Sequence, residues 1–268
     1  MQDYEDIKKK AMKKTKERMK EKKGKRDKFA VQLINSIDNL DKTSNTILEQ
    51  FKEIYSLYFP ELEREIDEPD EFLEIATKIE RKEEFTPEKL DEHLEEEDEE
   101  KLNQIQSKAK RSTGADLKEE DMEKIKEIGE LALKMREERK ELEEHLERIM
   151  EEITPNLTEI LGPTVAARLL SEAGSLKKLA MMPSSTVQVL GAEKALFAHL
   201  EKGVNPPKHG IIFQYPQIKG APYDKRGKIA RKVAAKASIA SRIDYFDGDF
   251  KGEEMKEDLE EEIEDILG

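Results

Sequence analysis

Two long stretches carry apolar residues at alternating spacings of three and four, the period of a helix with one buried stripe. The first runs through Leu33, Ile37, Leu40, Ser44, Ile47, Phe51, Ile54 and Tyr58, and Pro60 stops it. The second runs through Met122, Ile125, Ile128, Ala132, Met135, Arg139, Leu142, Leu146, Ile149 and Ile153. Two seams of similar length joined by a connector predict an antiparallel two-helix coiled coil within the chain. Between them lies an acidic insert, residues 61–117. Its apolar positions Phe72, Leu73, Ile75, Ile79, Phe85, Leu90 and Leu94 suit short amphipathic helices broken at Pro69 and Pro87. The run from Glu95 to Glu100 reads as a solvated face, with a docking site for a basic partner as the other reading.

The pattern changes at Pro155, where Gly and Pro become frequent and helices shorten. Pro163 sits at a first helical position and Gly174 at a C-terminal stop. Ser175 and Ser185 read as N-caps, the latter forming a capping box with Gln188. After Asp247 the chain is acidic and poor in aromatics, with Ile263, Ile266 and Leu267 near its end, which predicts disorder or a short helix. The expected fold is all-α: a basic extension (1–28), a coiled-coil domain with its insert (29–153), a compact, mostly helical domain (154–246) and an acidic tail (247–268).

Composition sharpens this outline. Of 268 residues, 41% are charged and 36% hydrophobic, a balance that suits long exposed helices better than a thick α/β core. Cysteine is absent, which excludes disulfides, Cys-bearing zinc sites and cysteine nucleophiles. The polar start and the lack of any run of about 18 apolar residues predict neither a secretory signal nor a membrane span. The chain carries a net charge of -14, yet from Pro155 to Phe246 Lys and Arg number 14 against 6 Asp and Glu. A basic module in an acidic chain points to a surface that meets phosphate. The basic run at 8–28 is either a solvated, partly helical extension or a nonspecific RNA arm.

Enzyme signatures are missing: the sequence holds no Walker phosphate loop, GxGxxG, HExxH or GxSxG motif, and nothing in it calls for a metal or cofactor. His93 and His145 read as plain surface residues. Nucleic-acid chemistry fits better. Lys225, Lys228, Lys232 and Lys236 fall on one helical face flanked by Arg226, Arg231 and Arg242, a stripe that could track a sugar–phosphate backbone. The segment Pro206-Pro207-Lys208-His209-Gly210 is a rigid polar loop. Lys208 could take a phosphate, while His209 could stack on an unpaired base or cap the turn. Gly191 permits close backbone approach beside Glu193 and Lys194, or relieves helix crowding.

The ordered runs GAEKALFAHL (191–200), PPKHGIIFQYP (206–216) and RGKIARKVAAKASIASRIDYF (226–246) resemble the Nop-domain family. Residues 51–62 and 153–194 resemble its coiled-coil end and domain entry. The resemblance covers roughly residues 29–246 and includes archaeal core proteins of box C/D small ribonucleoproteins. It implies a noncatalytic scaffold that binds a kink-turn RNA already occupied by a small ribosomal-type kink-turn protein. It also implies self-association through the coiled coil, by residues the sequence does not single out. Gly191, Ala192, Glu193 and Lys194 would lie near RNA and partner. Lys208, His209, Arg226, Lys228, Arg231 and Lys232 would face the RNA, with Lys236 extending the basic stripe. Ala198 stands where some members have Arg. The particle would modify or process RNA, in an archaeal cytoplasm or a nucleolus. Because the family's N-terminal fibrillarin-recruiting domain does not precede the coiled coil here, direct fibrillarin binding is not expected. The alternative is a shortened paralogue acting as a protein–protein adaptor for the kink-turn protein, without RNA.

Overall fold

The computed structural model describes the backbone of residues 2–94 and 99–268 and the side chains from Lys25 onward. The basic positions 8–24 and most of the acid run at 95–98 therefore lie outside the described side chains. All described elements are helical. The chain forms two compact units, one of residues 37–141 and one of residues 1–36 with 142–268.

The first unit contains the C-terminal part of α1 (Gln2–Tyr55), the short helices α2 (Leu62–Glu65), α3 (Pro69–Lys78), α4 (Pro87–Asp91) and α5 (Glu99–Lys110), and the N-terminal part of α6 (Glu119–Ile153). Arg139 forms an ion pair with Asp41 (Nε to Oδ1 3.0 Å) and Arg136 Nη2 donates to Asn45 Oδ1 at 3.2 Å, so α1 and α6 run antiparallel here. The insert's seven apolar positions are all buried. Phe51, Tyr55 and Phe72 meet in stacked and edge-to-face contacts, and Phe59 packs edge-on against Phe85. The seam itself drifts. Phe51 is buried as expected, but Leu48 and Tyr55 replace Ile47 and Ile54 in the core. The insert packs on this side of α1, so the buried face takes in Leu48 and Tyr55 beside Phe51, in one cluster with Phe72 and Leu73.

Glu61 ties the insert's ends together. Its carboxylate accepts from Ser112 Oγ (2.7 Å), Thr113 N (2.9 Å) and Thr113 Oγ1 (2.9 Å). Burial alone would raise its pKa, but these hydrogen bonds outweigh it and bring the value down to about 2.

The second unit gathers the other ends of α1 and α6 with α7 (Pro155–Leu161), α8 (Pro163–Ala173), α9 (Leu176–Met181), α10 (Ser184–Val189), α11 (Glu193–Lys202), α12 (Pro216–Lys219), α13 (Arg226–Tyr245) and α14 (Gly252–Leu267). Arg26 pairs with Glu152 at 2.7 Å and Phe29 meets His145 edge-on, so the two long helices are antiparallel here as well. Asp27, 6% exposed, accepts from Leu176 N at the start of α9. Residues 25–28 thus belong to a packed helix rather than to an extension. Pro163 and Gly174 bound α8, and Ser175 caps α9 by accepting from Lys178 N. Ser185 caps nothing, because α10 already begins at Ser184 after Pro183.

At the centre of this unit Asp244, 4% exposed, accepts from Asn156 N (3.1 Å), Asn156 Nδ2 (2.8 Å) and Leu157 N (3.0 Å). A carboxylate near the C-terminus of α13 thereby caps the N-terminus of α7. Asn156 Oδ1 in turn accepts from Lys251 N at 2.6 Å, which fixes the approach to α14. The segment from Asp247 is not an appendage: Met255, Leu259 and Ile263 recur every four residues along α14 and are buried against the unit. The acidic residues occupy the remaining faces of that helix, which is why charge density conceals its apolar stripe.

Two outcomes follow for stability. Asp244→Ala should lower unfolding free energy by roughly 3 kcal/mol in urea titrations, because it strands buried amide donors. Asp244→Asn should recover only part of that loss. Glu61 contributes stability that is complete above about pH 4.5 and is lost as pH falls toward about 2, since its folded pKa is depressed. Glu61→Gln should therefore cost about 1 kcal/mol at pH 7 and flatten the acid limb of the unfolding midpoint between those values.

Candidate nucleic-acid and partner interface

Three separated motifs converge in the second unit. After α10 the chain turns at Gly191, whose φ of +82° is open to glycine and strained for other residues. A Cβ there would also sit 2.7 Å from Ile211 Cγ1. Gly191 N donates to Glu193 Oε1 at 2.9 Å, and Ala192 precedes α11. The 206–210 loop is laced to α10 by Gly210 N to Gln188 O (2.8 Å), Ile211 N to Leu190 O (2.8 Å) and Gln188 Nε2 to Lys208 O (2.7 Å). Gly210 is required by closeness alone, since a Cβ would lie 1.9 Å from Leu190 O.

The loop then reaches α13 through stacked rings. His209 lies on Phe213, 4.4 Å between centroids at 14°, and the Arg226 guanidinium sits over the Phe213 ring at 5.4 Å. Arg226 is itself anchored, donating from Nε to Ala221 O and from Nη2 to Lys219 O. Lys208 Nζ lies 3.8 Å from the centroid of exposed Tyr223. Burial, then the neighbouring charges of Arg226 and Lys208, push the His209 pKa below its ordinary value, against a smaller upward pull from a backbone hydrogen bond. The ring is accordingly neutral near pH 7.

The sequence-predicted basic stripe divides between two faces. Lys228 and Arg231 are exposed on α13. Lys232 and Lys236 instead pair with Glu262 (3.3 Å) and Asp258 (2.9 Å) of α14, and Lys225 donates to Leu267 O at 2.6 Å. The side chain of Lys236 is only 15% exposed. The acids that balance Lys232 and Lys236 thus come from the tail, and Lys232 still has 47% of its side chain exposed. Arg242 turns to Ala180 O and Met182 O and satisfies the end of α9. Lys194 is exposed at the start of α11.

Sequence reasoning missed α11 as a surface. None of its residues is buried, and Leu196, Phe197 and Leu200 are 37%, 63% and 70% exposed, with Val204 just beyond at 47%. Such a run lies beside the Gly191 turn and has the character of a partner surface. The available signal was an apolar 3/4 pattern with no second stripe nearby to receive it. Among the described residues no His, Cys, Asp or Glu group is arranged to hold a metal ion, and no helix is long and apolar enough to cross a membrane.

Comparison with known proteins bears on this face. An uncharacterized NOP5 family protein of Methanocaldococcus jannaschii is 44% identical over 241 residues, 90% of this chain and 57% of the relative. Nucleolar protein 56 of Schizosaccharomyces pombe is 40% identical over 222 residues, covering 82% of this chain and 45% of that one. The chain thus spans about half the length of these curated relatives. Among solved structures, a crystal structure of a fibrillarin/Nop5p complex superposes with a TM-score of 0.53 and 28% identity, over 99% of this chain and 80% of the other. That likeness overturns the expectation that fibrillarin has no direct part here. The same correction comes from the family match, whose description names fibrillarin beside snoRNA binding. With the Nop family signature, "snoRNA binding domain, fibrillarin", matching residues 36–265, the chain belongs to the Nop family.

Proposed function

We propose that this chain is a noncatalytic scaffold of a box C/D-type ribonucleoprotein. It grips a kink-turn RNA together with its small ribosomal-type kink-turn protein, and it works in one assembly with fibrillarin. The observation that carries the reading is the convergence of the Gly191 turn, the 206–210 loop and the N-terminus of α13, joined by the Gln188, Leu190 and Phe213 contacts. Two chemistries lie side by side. Exposed Lys194, Lys228 and Arg231 suit phosphate. The neutral His209 ring extends an aromatic surface suited to an unpaired base. The apolar side of α11 suits a protein, so neither RNA nor partner alone satisfies the whole surface. Membership of the Nop family supports this assignment, as does the fibrillarin/Nop5p complex.

Gel-shift titration on a box C/D kink-turn RNA, with and without the kink-turn protein, tests the reading at several salt concentrations. A tight complex is expected only when both components are present. Lys228→Gln with Arg231→Gln should reduce the log–log salt slope by about 1.5, the loss of two phosphate contacts. Lys232→Gln with Lys236→Gln should leave the slope unchanged. Equal slopes in both variants would refute the assignment of the exposed face. Retention of the kink-turn protein after nuclease treatment would favour the adaptor without RNA. Gly210→Ala, which drives a methyl into Leu190 O, should weaken the ternary complex at least tenfold while circular dichroism shows the helices retained.

A further inference from the structure

Lys208 and His209 are consecutive, yet their side chains turn to different aromatic residues. His209 lies on Phe213, while Lys208 Nζ lies 3.8 Å from the centre of the Tyr223 ring. Tyr223 is 71% exposed, so the amine covers one face of the ring and leaves the other to solvent. The backbone around it is held firmly. Arg226 donates from Nε to Ala221 O (2.9 Å) and from Nη2 to Lys219 O (3.2 Å). Lys225 N and Arg226 N both donate to Pro222 O, at 3.0 and 3.1 Å. Ala221, two residues before the ring, is buried. A large ring is thereby displayed on a fixed turn at the start of α13, which lowers the entropy lost when something stacks on it.

An exposed ring can serve a protein or a nucleic acid, and its surroundings decide between them. The core of a protein interface is depleted of charge. The turn of Tyr223 is instead flanked by exposed Lys219 and Lys228, with Asp224 the one acid of residues 219–228. Cations beside an open aromatic face are the pairing that single-stranded nucleic acid uses, the charge for phosphate and the ring for a base. We propose that Tyr223 is a base-stacking residue: its open face takes an unpaired RNA nucleotide beside the one received at His209. The site then accepts two splayed nucleotides rather than one. Lys208, seated on the far face of the ring, keeps ammonium protons for the phosphate. This inference rests on the functional reading above, that the face meets RNA.

The test titrates the full chain onto kink-turn RNA carrying its kink-turn protein. Tyr223→Ala should weaken the complex about tenfold and leave the log–log salt slope unchanged, since stacking releases no counterions. Tyr223→Phe should bind like the unaltered chain. Lys208→Gln should instead lower the slope by about 0.8. A set of RNAs, each with one unpaired nucleotide made abasic, locates the base: on one of them Tyr223→Ala should cost nothing further. Undiminished binding by Tyr223→Ala would overturn the proposal. So would a fall in slope matching that of Lys208→Gln, which would make the ring only a seat for the lysine. An equal loss on every abasic RNA would place Tyr223 against the kink-turn protein instead. Failure of the unaltered chain to form the complex at all would refute the functional reading itself, an outcome distinct from these three.

Discussion

The buried carboxylate of Asp244 is the constraint on which the second unit depends. An anion 4% exposed is tolerable only when its donors are all present, and here they come from the first residues of α7. Those donors sit on two consecutive residues, so the contact holds α13 to one end of α7. It fixes the register of α13, and through Asn156 it also fixes where α14 begins. Every cation that α13 shows to solvent, and every one it turns toward α14, is assigned by that single register.

Much of the fold was legible in the sequence, because short-range periodicity is a local property. The two seams, the insert's apolar positions, Pro163, Gly174 and Ser175 were all readable from spacing and capping chemistry. What spacing could not supply was the partner of each face. Lys232 and Lys236 have no acids one turn away, which made them look like part of an open stripe; their partners lie more than twenty residues later, in α14. The tail in turn left disorder and a short helix both open, because its acids outnumber Met255, Leu259 and Ile263. The apolar residues of α11 posed the reverse difficulty. Local pattern alone suggests core, and only the packed structure reveals that they stay 37–70% exposed among the described residues.

For the candidate interface, the loop residues Lys208 and His209 and the Gly191 turn were recognisable as motifs, but their adjacency was not. Backbone hydrogen bonds from Gly210 and Ile211 to α10, which no side-chain pattern encodes, create it. The fibrillarin expectation went astray for a different reason. It was drawn from what stands ahead of the coiled coil, whereas the structural likeness to a fibrillarin complex extends over nearly the whole chain.

The ion pairs between α13 and α14 have one more consequence. They withdraw Lys232 and Lys236 from the reservoir of charge that could condense onto any polyanion. On the proposed reading, the described face of α13 meets RNA with fewer free cations and so displaces fewer counterions. Random transcripts offer it little purchase, while a folded target already clad in protein offers an apolar surface as well. Selectivity then arises by subtraction: the acidic helix hides the charge that would have made the module sticky everywhere.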